Sequence, residues 1–306
     1  AIANDYVQKM WPSRYGGRRR VYDFEGGEPA AFPPAGYLWT NALAAGLSLR
    51  NYGFWVTNNK ELTAVERVRD PALDPHTDKN FIGFNLTYSD QKRADEFLRE
   101  FSDLVQKGNL PRLILLRLGN DHTAGTTPGR WTPQAMVGDN DYALGRIVEA
   151  VSQSKAWTQT AIFVLEDDAQ NGPDHVDSHR SPAFVLSAWS KRGFVDSTHY
   201  TTASMLRTME LMLGLHPMTQ FDAAATPMAN SFASRPDPTP YVAEKPRVSL
   251  EDRNPATAAG AAASARMNFD QEDRIDDDEL NDILWRAIRG TTPPAVTRSY
   301  FSKSRR

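Results

Sequence analysis

No cysteine occurs among the 306 residues, and that absence removes a good deal of chemistry at once. Disulfide scaffolds, thiolate zinc sites, iron–sulfur clusters and cysteine nucleophiles are excluded. Any metal must therefore be held by oxygen and imidazole. No window approaches the roughly 18 to 20 apolar residues that a membrane-spanning helix needs, so no membrane span is expected. An excess of one charge is lacking too, since 35 Lys and Arg face 38 Asp and Glu for a net charge of −3. This balance leaves no electrostatic footprint for nucleic acid, which is held by Lys and Arg facing phosphates. The basic clusters Arg18-Arg19-Arg20 and Lys303 to Arg306 are short and read as solvated. Also missing are the G-x-S-x-G elbow, the G-x-x-x-x-G-K-[ST] loop, a G-x-G-x-x-G after a strand and H-E-x-x-H. The chain starts Ala1-Ile2-Ala3 without the pattern of a signal peptide, which fits a processed end or a cut inside a longer protein.

What is present is enough apolar material for a large core, because a domain near 300 residues buries roughly 75% of its unfolded surface. The first sixty residues are rich in aromatics interrupted by Gly16-Gly17, Gly26-Gly27 and Pro33-Pro34. They predict a short helix near Asp5 to Met10, a helix near Leu38 to Ala45 and a strand near Asn51 to Val56, with the rings covering the edge of a core. Ala94, Phe97, Leu98, Phe101 and Leu104 recur at helical spacing behind Ser89 or Asp90 as N-cap. Pro111 opens the apolar run Leu113 to Leu118, a buried strand, and a helix follows near Asn140 to Gln153. Thr160 to Leu165 and Ala183 to Leu186 read as two further buried strands, and Thr201 to Leu213 as a helix closed by Gly214. Continuous apolar strands between helices predict an α/β fold with a mostly parallel sheet flanked by helices. The domain is placed at 1–232. Residues 233–306 form a Pro- and Ala-rich extension whose amphipathic helix runs through Leu280, Ile283, Leu284 and Ile288. The acidic stretch Asp276 to Glu279 suits that helix's N-terminus better than a metal.

Both clearest strands run into a burst of polar residues. After the first comes Asn120-Asp121-His122-Thr123-Ala124-Gly125; the second is followed by Glu166 to Arg180, which holds five acidic residues and two His. In open α/β sheets chemistry sits at the carboxyl ends of strands. Carboxylates crowded in a partly dry cleft repel one another and are most easily stabilised by a divalent cation. Asp167 and Asp168 are the expected metal ligands, and Zn, Ca, Mn and Fe are not distinguished by these residues. The plainer alternative is a loop of solvated acids with His capping carbonyls. His122 and His175 are expected to converge on one pocket, with His76 and His216 outside it.

The segments Leu118 to Gly125, Val164 to Asp177 and Tyr200 to Glu210 resemble the bacterial phosphoesterase family of phospholipase C-like and acid phosphatase-like enzymes, within the alkaline phosphatase superfamily. The resemblance implies metal-dependent hydrolysis of phosphoric esters. It places Asp167 and Asp168 at the catalytic metal and Asp121 and His122 against the metal or the phosphoryl group. His122 or His175 would stabilise charge or protonate the leaving group, and His179 matches more loosely. It also implies a secreted or periplasmic protein, with a first strand and hydroxyl nucleophile upstream of Ala1. The N-terminal portion of the same precursor is then expected as a second chain beside the phosphate-ester substrate. The alternative is a non-catalytic extracellular binding or structural module that keeps the fold.

Overall fold

The computed structural model describes residues 32–167, 180–270, 275 and 277–293. The helix expected near Asp5 to Met10 lies outside these residues, as do Asp168, His175 and His179. Helix α1 (Leu38–Ala44) leads into β1 (Leu49–Tyr52), β2 (Val56–Asn58) and β3 (Val65–Val68). Then come α2 (Asp90–Lys107), β4 (Leu113–Leu116), α3 (Pro133–Gln153), β5 (Ala161–Leu165) and β6 (Ala183–Ser187). The order closes with α4 (Thr202–Leu213), α5 (Gln220–Ala224), α6 (Ala261–Ser264) and α7 (Asp277–Arg289).

The β1–β4 pair is parallel, with Leu49 opposite Leu113 and Tyr52 opposite Leu116, and it is covered on both faces. Side chains alternate along a strand, so Leu113 and Leu115 enter a core with α1 and α4, through Leu38, Ala42, Leu206 and Met209. Ile114 and Leu116 enter the opposite core, built from Phe97 and Phe101 of α2 and Ala143, Ile147 and Val151 of α3. Burial on both faces is why β4 reads as an unbroken apolar run. The early aromatics line the first of these cores, where Tyr37 and Trp39 stack at 4.3 Å and the Trp39 indole donates to Asp70.

Three expectations need correction. The fold is mixed α/β, but the described strands form three two-stranded sheets, and only β1–β4 is parallel. β5 and β6 run antiparallel, with Ile162 opposite Leu186, and Leu165 and Phe184 are exposed; an apolar run settles neither direction nor full burial. The single strand over Asn51 to Val56 is broken into β1 and β2, because Gly53 (φ +91°) and Trp55 (φ +56°) take left-handed backbone. A Cβ on Gly53 would also stand 2.9 Å from the Phe81 ring. Helix α3 starts at Pro133 instead of Asn140, since the Thr132 side chain accepts from the Ala135 N–H and Pro133 fits the first turn.

The later segment packs on the loop behind β4. Phe269 and Leu280 join Leu86, Ala124 and Met136 in a third core. Asn254 donates to the carbonyls of Gly125, Thr127 and Trp131, and Ser264 Oγ accepts from the Thr126 N–H. Among the described residues no helix is long and apolar enough to cross a membrane.

Candidate functional site

The site is built at the carboxyl end of β4. The ladder with β1 runs one step past the strand, where the Arg117 N–H donates to the Tyr52 carbonyl at 3.0 Å. The chain then enters a 3-10 turn, Asn120–His122. The next residue, Thr123, takes φ +56° and ψ 169°, a region essentially reserved for glycine. A buried β-branched residue held there stores strain of order 1–3 kcal/mol, a feature that clusters at functional sites. Here it sits one peptide from an imidazole.

His122 is mostly enclosed, its side chain 14% exposed, with Nδ1 3.4 Å from Oδ1 of Asp121. Its ring meets Phe84 edge to face, with centroids 5.1 Å apart and planes at 76°. The Arg117 guanidinium lies 5.5 Å from the centroid of the same Phe84 ring. Gly119 makes this approach possible, because a Cβ there would reach Phe84 at 3.2 Å. Burial of the imidazole favours its neutral form. The hydrogen bond and charge of Asp121, with the charge of Asp167, outweigh that burial and the opposing charge of Arg117, and the pKa is pushed up to about 9. These neighbours favour the protonated ring at neutral pH.

The turn is held from below by buried polar groups. Asp90 accepts from the N–H groups of Gly119 and Asn120, and Asp139 accepts from the Asn120 amide. Asn140 bridges Asp90 at 3.1 Å and Asp121 at 3.4 Å. Asn120, Asp90 and Asp139 are all buried. Asp139 has its carboxyl pKa raised by burial. Phe84, Arg117, Asp90 and Asp139 were not legible as site residues. The available signal is that Asp90 and Arg93 lie on the same helical stripe as Ala94, Phe97 and Phe101, where only apolar residues are expected.

Of the residues expected at the site, Asp121 and His122 are adjacent in space as well as in sequence. Asp167, two residues beyond β5, lies close enough for its charge to act on His122. The two described strand ends therefore lie within electrostatic reach of each other. Asp168, His175 and His179 lie outside the described residues. Asp121, His122 and Asp167 offer oxygen and imidazole, the right donors for a divalent cation. Among the described residues, however, no group of three His, Asp or Glu side chains is placed to hold one. The described side chains alone do not form a metal cradle.

No curated protein matches the chain. Residues 75–216, running from just before α2 to just after α4 and holding both polar bursts, match the Phosphoesterase family.

Proposed function

We propose that the protein hydrolyses phosphoric esters at the carboxyl end of β4, with His122 as the cationic group that meets the phosphoryl oxygens or protonates the departing oxygen. The observation that supports this most strongly is an enclosed imidazole set against Asp121 and Phe84, at a strand end inside the matched block; Asp121 and Asp167 raise its pKa. With Nδ1 turned to Asp121, Nε2–H is the proton left for a substrate oxygen. A donor fixed in a partly dry site stabilises developing negative charge without reorganisation and can serve as general acid. Asp121 orients the ring and keeps it charged.

Three finer elements belong to the proposal. Asp167 and Asp168 hold a divalent cation, Zn, Ca, Mn or Fe, and His175 and His179 join His122 among the catalytic groups. The support is the Phosphoesterase match, a generally metal-dependent family, and the run of carboxylates behind β5. The hydroxyl nucleophile comes on a further strand from the N-terminal portion of the same precursor. The support is the resemblance, in which the nucleophile and a first strand lie upstream of this segment. Export to the periplasm or beyond rests on the resemblance alone, and fractionation of source cells would contradict it by finding the protein in the cytosol.

The test uses native material with any companion chain retained. Aryl phosphate monoesters and diesters are expected to be turned over, and chelation to stop the reaction until a divalent metal is returned. Asp168→Ala is expected to lose metal affinity by calorimetry while keeping its fold. No turnover with any metal would favour the non-catalytic module, and unchanged affinity in the variant would remove Asp168 from the metal site. Native mass spectrometry is expected to show the second chain, and a lone 34.2 kDa species would exclude it.

A further inference from the structure

We propose that the buried ion pair Asp90–Arg93 is the positioning device of the His122 site, Asp90 setting the Asn120–His122 turn and Arg93 setting the loop that carries Phe84. The inference rests on the reading of His122 as a functional residue, and it concerns groups that act through others and touch no substrate.

The two side chains are 0% and 1% exposed and 2.7 Å apart, on the first turn of α2. Each spends its remaining hydrogen-bonding capacity on a different loop. Arg93 donates from Nε to the Ile82 carbonyl, from Nη1 to Tyr88, and from Nη2 to Gly83 and Asn85. These carbonyls bracket Phe84. Asp90 receives the Gly119 N–H at 3.2 Å on Oδ1 and the Asn120 N–H at 2.9 Å on Oδ2. Oδ2 also takes the Asn140 amide, which reaches on to Asp121. Phe84 and His122, the residues presented by the two loops, are the pair that meet edge to face.

A pair serving only to hold α2 in the core would not need this arrangement, because well-packed apolar residues usually do as well as a buried ion pair. What an apolar pair cannot do is bind six loop groups at fixed angles. The guanidinium fork is suited to carbonyls held in a plane, and a lysine ammonium cannot reproduce it. The geometry therefore assigns the pair a role in placing the imidazole.

The experiment compares the native protein with Arg93→Lys and, as a second variant, Asp90→Asn. It reads amide hydrogen exchange together with kcat and KM on an aryl phosphate. Arg93→Lys is expected to speed exchange at residues 83–88 and 119–123 while leaving Ala143 to Val151 of α3 protected. Its kcat should fall by about 10²-fold with KM little changed, the size of loss that a misplacement near 1 Å can cause. Asp90→Asn should loosen 119–123 first. Unchanged exchange at these segments in both variants would overturn the proposal, as would local loosening with kcat intact. A wild-type protein without turnover, but with the two loops loosened by the variants, would sink the functional reading and leave the coupling of the loops standing.

Discussion

Replacing His122 by Ala is expected to lower kcat/KM on an aryl phosphate by about 10²- to 10⁴-fold, the usual weight of a positioned proton donor. The fold should survive, because the ring lies at the mouth of the strand and touches Phe84 along one edge. His122→Gln keeps a donor but no charge, and should recover only a small part of the loss, since the charge is what a phosphoryl group meets. If the Ala variant lost less than about threefold, the imidazole would not be acting in the transition state. His122→Ala also leaves Asp121 without its cationic neighbour, so the double change with Asp121→Asn should cost little more than His122→Ala alone.

The unfolding free energy is expected to fall by about 3 kcal/mol as pH rises from 6.5 to about 9. The sign follows from the raised pKa. Across this window the folded protein keeps the imidazole proton and the unfolded chain has released it. The contribution is therefore complete below pH 6.5 and lost as pH climbs through about 9. Because the side chain is only 14% exposed, solvent screens the effect little. Asp121→Asn removes the main partner and should flatten the slope. Asp78 does not blur the window. Burial, with the negative charge of Glu96 and Glu100 nearby, pushes its carboxyl up to about 6. Its contribution thus falls below pH 6, before that of His122 begins to fall. Denaturant melts at pH 6.5, 8 and 9.5 check this; equal stability at all three would contradict the assigned charge.

The sequence exposed some of this structure clearly. Helix α2 announces itself through Ser89 as N-cap, accepting from the Lys92 N–H, although its close at the left-handed Gly108 was not anticipated. Gly214 closes α4 in the same way. The two-face burial of β4 is written in its unbroken apolar run, and the turn behind it in Asn120-Asp121-His122. Other features have no local signature. The direction of β6 depends on a pairing that its side chains do not record. The break at Gly53 and Trp55 lies in their left-handed backbone, and Phe81 leaves no room for a side chain at the glycine. Asp90 and Arg93 look like ordinary charges at a helix start until the fold closes two loops over them. Thr123 shows strain only in its backbone angles. The site residues that were missed act through long-range hydrogen bonds, and composition near the motif could not reveal them.

The most direct test of the central claim is a phosphate titration of the protein at pH 7, with histidine ring signals followed by NMR. The account predicts that the His122 ring is protonated before phosphate is added and that its signals shift saturably on binding. His76 and His216, outside the site, should stay still. A neutral His122 ring, or phosphate shifts that appear elsewhere and leave His122 untouched, would contradict it.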